Sequence, residues 1–172
     1  MKKDQNPNKE IFLDKVVVNM GVGEGGEKLA KAERLLQQLA GQKPVRTVSK
    51  STNREWGIRK GMPIGCQVTL REDKSEELLK KAIWIRNNRL PSYSFDDNGG
   101  FSFGIPDHTD FGIKYDPEVG IFGMDVCITL KRNGYRVARR RRGGKKIPHR
   151  HKVKMEEAMN FMRERYGLEV VE

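Results

Sequence analysis

Two well-separated stretches of this chain alternate strictly between apolar and polar residues, and this constrains the fold more than any other feature. In Ile64 to Glu72, the side chains of Ile64, Cys66, Val68 and Leu70 point one way, and Gly65, Gln67, Thr69 and Arg71 the other. In Met124 to Lys131, Met124, Val126, Ile128 and Leu130 share one face, and Asp125, Cys127, Thr129 and Lys131 the opposite one. A two-residue period predicts strands with one dry and one wet face. Such strands belong to a mostly antiparallel sheet covered on a single side.

The helices expected to supply the cover are also legible. Phe12 to Met20 reads as a valine-rich strand, followed by the glycine turn GVGEGG. Glu27 to Ala40 reads as a helix, with Leu29, Ala32, Leu36 and Leu39 on one stripe and Gly41 and Pro44 as its stop. Val45 to Ser49 suits a short strand. Asp73, with Glu76 three residues on, suits the N-cap of a helix reaching about Asn88, with Leu78, Leu79, Ala82 and Ile83 inward. Phe101 to Ile105 reads as a strand, Asp107 to Val119 as loop, and Met155 to Tyr166 as a last helix ended by Gly167. The expected class is α+β: a mostly antiparallel sheet with helices packed on one face and the opposite face open. At 172 residues the chain is expected to form one domain, 1–172.

Charge adds a second constraint. The net charge is +11. From Lys131 to Lys154 there are 12 Lys and Arg and no acid, leaving 22 basic and 23 acidic residues elsewhere. A single-signed run containing Arg139 to Arg142 repels itself unless a polyanion neutralises it. Gly143, Gly144 and Pro148 oppose a regular helix, and no apolar stripe faces the cations as a membrane-surface helix would require. The segment 135–154 therefore reads as a nucleic-acid-binding arm. A second basic stretch, 50–62, forms a long connection carrying Trp56 among cations, a composition suited to nucleic-acid contact. No apolar run suits a membrane span, and the first residues lack the apolar core of a signal peptide. Two separated cysteines, Cys66 and Cys127, suggest a reduced, cytosolic setting.

Several chemical motifs compete with this reading. Gly21, Gly23 and Gly26 spell G-x-G-x-x-G between a strand and a helix, the pattern of a dinucleotide-binding oxidoreductase. Glu24 and Glu27 would oppose a phosphate there, and Val48, Ser49 and Lys50 stand where a ribose-binding acid is needed. His149 and His151 form an H-x-H pair, but within a cationic segment that repels a metal. No nucleophile has a recognisable activating partner. The expectation is no enzyme, no cofactor and no metal; a free-standing, non-specific RNA chaperone remains a rival.

The motifs NMGVGEG at Asn19 to Gly25, GQKP at Gly41 to Pro44, IRKGMPIGCQVTLR at Ile58 to Arg71 and DFGIKYDPEVGIFGMDV at Asp110 to Val126 occur in order. Together they resemble the universal fifth large-subunit ribosomal protein family, with YRVARRRR and EEAMNFM similar to its archaeal members. The resemblance implies a cytoplasmic, ribosome-bound protein that attaches 5S rRNA in the central protuberance. It also implies contact with large-subunit rRNA, peptidyl-site tRNA, other 5S-associated proteins and a small-subunit head protein. By the family pattern, Asn19, Gln42, Thr69 and Arg71 match RNA-facing positions, and the connection 50–62 matches a tRNA-facing loop. The candidate rRNA contacts on the sheet face and glycine turn also include Met20, Gly21, Gly23, Lys43, Thr47 and Gln67. Those of the arm are Arg136, Arg139, Arg140, Arg141, Arg142, Lys145, Lys146, His149, Arg150 and Lys152. The candidate tRNA-facing residues are Lys50, Asn53, Arg54, Trp56, Arg59 and Lys60.

Overall fold

The structure is a computed structural model describing residues 6–113, 117 and 120–171. The expected loop 107–119 falls partly outside the described residues; its first part is a short 3-10 turn at His108–Phe111, with the Asp107 carboxylate accepting from the Thr109 N–H.

Strand β1 (Ile11–Gly21) lies at the centre of a five-stranded sheet. Its neighbours are β3 (Pro63–Leu70) and β6 (Met124–Arg132), while β2 (Val45–Val48) and β5 (Gly100–Ile105) form the edges. Every pair in this sheet is antiparallel. The alternation survives in register: Val16 faces Leu70 and Ile128, and Val18 faces Val68 and Val126. All are buried, with Met20, Cys66, Phe101, Phe103, Leu130 and others in one hydrophobic cluster. Each fully buried aliphatic of this kind contributes about 1.5–3 kcal/mol relative to exposure.

The helical stripes complete the cluster. Helix α1 (Glu27–Ala40) buries Leu29, Ala32, Leu35 and Leu36. Helix α2 (Glu72–Ile85) buries Leu78, Leu79, Ala82 and Ile83. It differs from the expected span at both ends. Asp73 is not the N-cap; it lies in the first turn beside Glu72, where a carboxylate still favours the helix dipole. The helix stops at Ile85 because Asn87 and Asn88 adopt φ of 54° and 56°, a left-handed backbone that asparagine tolerates. After α3, a single turn at Arg136–Arg139, helix α4 (Met155–Tyr166) adds Ala158 and Met162 to the core. Local sequence patterns do not announce the parallel pairing of β4 (Arg89–Pro91) with β7 (Glu169–Val171), which ties the chain beyond α2 to its far end.

Two tight sites fix the central strands. Gly65 sits between β1 and β2, and a Cβ there would lie 2.7 Å from the Met20 carbonyl oxygen and 2.8 Å from Thr47 Oγ1. Asp14 occupies a register shift in β1 between Leu13 and Lys15, with its side chain fully buried. Its carboxylate accepts from Lys131 Nζ at 2.6 Å, Arg139 Nη2 at 2.9 Å and Arg71 Nη1 at 3.2 Å. Burial alone would raise its pKa, but the hydrogen bonds from Lys131 and Arg139, with their charges, hold it below the ordinary carboxylate value.

Gly65→Ala should destabilise the chain by about 1–3 kcal/mol, read as a lower urea midpoint with unchanged m-value, because the Met20 carbonyl cannot rotate away. Asp14 should supply stability that is present above the ordinary carboxylate pKa of about 3.9 and is lost as pH falls through its lower folded value. Glu157 and Asp107, also depressed, add slope of the same sign. The check is the difference between the natural chain and Asp14→Asn: the variant should be about 1–3 kcal/mol less stable near neutrality, with the gap narrowing on acidification.

A candidate nucleic-acid interface

The face of the sheet away from the helices carries polar rows running across the strands. One row reads Val45, Gln67, Asn19, Asp125 and Gly104 from β2 to β5. The next reads Thr69, Val17, Cys127 and Ser102. At normal strand spacing the five strands are about 20 Å across. None of these residues is buried, and the 3-10 turn Ser92–Ser94 reaches only the hollow at the side of this face through Tyr93 and Ser94. A hollow of about 780 Å³ opens on this face, lined by Asn19, Gln67, Ser102, Asp125 and Cys127 and rimmed by Arg86, Arg89 and Tyr93. Partial desolvation by its neighbours, aided by the nearby Asp125 charge, raises the pKa of the exposed Cys127 thiol.

The three rim residues are not among those expected from the sequence. Arg86 is the C-cap of α2, and the left-handed turn at Asn87 and Asn88 leads on to Arg89 and Tyr93. Tyr93 is 85% exposed. A tyrosine four residues after Arg89, in the turn-rich NNRLPSYS, is the available signal.

The sequence-predicted residues divide into groups. Asn19, Gln67 and Thr69 share the open face, and Thr47 and Arg71 lie on the same side. Gln42 and Lys43 are exposed just before β2, whose first residue pairs with Gln67. Met20 is a correction: it is fully buried in the core, because the even positions of β1 point toward the helices. Gly21 and Gly23 are exposed in the turn, whose Val22 and Gly23 N–H groups donate to the Ile64 carbonyl. Gly23 has φ of +82°, which a side chain would strain.

This turn does not build a dinucleotide site. In that fold the two strands of the β-α-β unit lie side by side in a parallel sheet. Here β3 is inserted between β1 and β2, antiparallel to both. Glu24 pairs with Lys28 at the point a pyrophosphate would occupy.

The connection 50–62 is a closed hairpin. Asn53 and Ile58 exchange backbone hydrogen bonds, and Ser49 N–H donates to the Met62 carbonyl. Asn53 is a turn former, its side chain accepting from the Glu55 N–H. Trp56, 74% exposed, stands at the tip, with Lys50, Arg54, Arg59 and Lys60 also exposed.

The arm leaves the opposite end of the sheet. Its ends are tied: Tyr135 Oη donates to the His151 carbonyl and accepts from the Val153 N–H, and His151 Nε2 lies 2.7 Å from the Asn133 carbonyl. His151 is thereby committed to structure, away from any shared site with exposed His149. Arg136, Arg140, Arg141, Arg142, Lys145, Lys146 and Arg150 are exposed. Arg140 Nε donates to the Gly143 carbonyl, and Lys152 Nζ to Asn98 Oδ1. Arg139 is half-exposed, with one terminal nitrogen on Asp14. The 11 residues of β1 separate the arm from the hairpin by about 33 Å. No helix among the described residues is long and apolar enough to cross a membrane.

The same chain regions align with known proteins. A family model described as Ribosomal protein L5 matches residues 6–59, and a second, described as the C-terminus of that ribosomal family, matches residues 63–161. The large ribosomal subunit protein uL5 of Methanospirillum hungatei is 52% identical over 96% of this chain and 99% of its own length. That of Sulfurisphaera tokodaii is 54% identical over 97% and 96%. That of Sulfolobus acidocaldarius is 51% identical over 99% and 96%. With an open polar sheet, a cationic arm and this likeness in hand, the chain belongs to the L5 family of ribosomal proteins, structural and non-enzymatic components of the large subunit of the cytoplasmic ribosome.

Proposed function

We propose that the open sheet face binds 5S rRNA, that the arm neutralises large-subunit rRNA beside it, and that the hairpin reaches peptidyl-site tRNA. In this reading the chain is a single domain, since both family-matched segments contribute to one hydrophobic cluster. The carrying observation is the uncovered polar face, flanked at one end by the arm and at the other by the hairpin. Asn19, Gln67 and Thr69 suit 2′-hydroxyl and base-edge contact, and Tyr93 suits stacking on an unpaired base. Arg136, Arg140 to Arg142, Lys145, Lys146 and Arg150 supply sequence-independent attraction. The exposed Trp56 with Arg54 and Arg59 suits the backbone and bases of a second RNA. The central protuberance, the small-subunit head and the other 5S-associated proteins complete the proposed surroundings.

The deciding experiment is competition between 5S rRNA and an unrelated folded RNA over a range of salt. The natural chain should prefer 5S rRNA; equal binding to both would favour a non-specific chaperone and reject the recognition role. Asn19→Ala with Gln67→Ala should erode that preference by about 1–3 kcal/mol, whereas neutralising Arg140 to Arg142 should weaken both complexes and lower the salt slope by roughly 0.7–0.9 per lost phosphate contact. A second measurement addresses the hairpin. Trp56→Ala with Arg54→Gln should leave 5S affinity intact while weakening tRNA placement in reconstituted subunits, by about 1–3 kcal/mol if the indole stacks on a base. A collapse of 5S affinity in that variant would show the hairpin to be misassigned.

A further inference from the structure

Three cations converge on one buried carboxylate where the sheet meets the arm. Asp14 comes from the central strand of the sheet, Arg71 from the junction of β3 with α2, Lys131 from β6 and Arg139 from α3. Arg71 and Lys131 share the same carboxylate oxygen, Oδ1, and Arg139 takes the other. The Phe12 ring lies 5.0 Å from Lys131 Nζ and steadies it from another side. One negative charge against three positive ones leaves a surplus of two, and Arg136 borders the adjoining hollow with Lys131 and Arg139. Asp14 is fully sequestered, while the Arg71 and Arg139 side chains are about half exposed. Each guanidinium meets Asp14 through a single terminal nitrogen, leaving other donors of its fork directed elsewhere.

We propose that Asp14 is the positioning residue of a preformed phosphate site, in which Arg71, Lys131 and Arg139 together grip the backbone of bound RNA. This rests on the RNA-binding reading above. A flexible Arg or Lys loses rotamer freedom when it grips an anion, and a cation already held in place loses less. Asp14 acts without touching the ligand: it fixes the separation and direction of three donors contributed by three different elements. Its position in the register shift of β1 brings the carboxylate within reach of both neighbouring strands.

The test exploits a conflict of signs. Asp14→Asn keeps the side chain's size and makes the full chain one unit more positive. Bulk attraction would then tighten RNA binding. A preorganised site instead predicts weaker binding to a generic RNA duplex, by about fivefold, with the slope of log K against log salt falling by roughly 1–2. Equal or tighter binding by the folded variant would overturn the proposal and leave Asp14 as a fold staple. Should Asp14→Asn fail to fold, Arg71→Gln in the otherwise natural chain gives the decision. Its salt slope should fall by roughly 0.7–0.9, while Arg165→Gln, which removes a cation paired with Glu76 between α4 and α2, leaves the slope unchanged. An unchanged slope in Arg71→Gln overturns the site. Parallel titration with 5S rRNA separates the two ideas: loss of 5S preference in the natural chain counts against the recognition reading, whereas the duplex measurements alone judge the phosphate site.

Discussion

The inward side chains of β1 are packed between two antiparallel neighbours, and that one-sided burial governs the molecule. Val16, Val18 and Met20 face the helices, so Lys15, Val17 and Asn19 face away from them. A one-residue slip would reverse the two sets and bury Lys15 and Asn19. The same period runs through β3, β5 and β6, and the helices cover the single face it makes dry. The opposite face is left polar across its width as a direct consequence. A functional surface and a hydrophobic core here are two sides of one pattern.

The cations are distributed by different rules. Most of the arm's arginines and lysines are exposed, because like charges this concentrated repel one another and resist burial. At the root the arrangement changes. Arg132, turned toward the helices, pairs with Glu157 at 2.7 Å, and Arg139 turns to Asp14. These two contacts hold the arm's base against both faces of the sheet, while the tip carries the surplus charge. The hairpin at the other end is stiffened by its own backbone hydrogen bonds, so Trp56 stands out from the body instead of folding back on it.

Membership in a large-subunit ribosomal family accords with a design in which nothing is turned over. Burial pushes the Cys66 pKa up to about 11, and Cys127, though on the open face, is also raised. The glycine turn has the spelling of a cofactor loop without its topology. Its first glycine pairs with Gly65 at the end of the sheet, and Gly26 occupies the N-cap of α1 with φ of +88°. The glycines serve close strand approach and chain reversal.

The sheet class, the helices α1 and α4 and the inward residues of β3 and β6 can be read from residue order, because local periodicity and glycine stops act over a few neighbours. The exposure of the arm and of the connection 50–62 is legible for a similar reason, since their composition rejects burial, but the closing of that connection into a hairpin by the Asn53–Ile58 bridge is not. Met20 reads as a surface residue although it is buried, because motif membership says nothing of strand phase. Asp14 gives no local signal because its meaning depends on Arg71, Lys131 and Arg139, which are 57, 117 and 125 residues away along the chain. At the rim, Arg89 and Tyr93 are hidden behind a left-handed asparagine turn, and Arg89 lies in a parallel pairing with the last strand. The sequence alone thus determined which surfaces must be dry and where charge must remain wet, since those follow from side-chain chemistry at each position. Only the tertiary structure decided which distant cations share one carboxylate and which loops border the open face, since those depend on strand order and register.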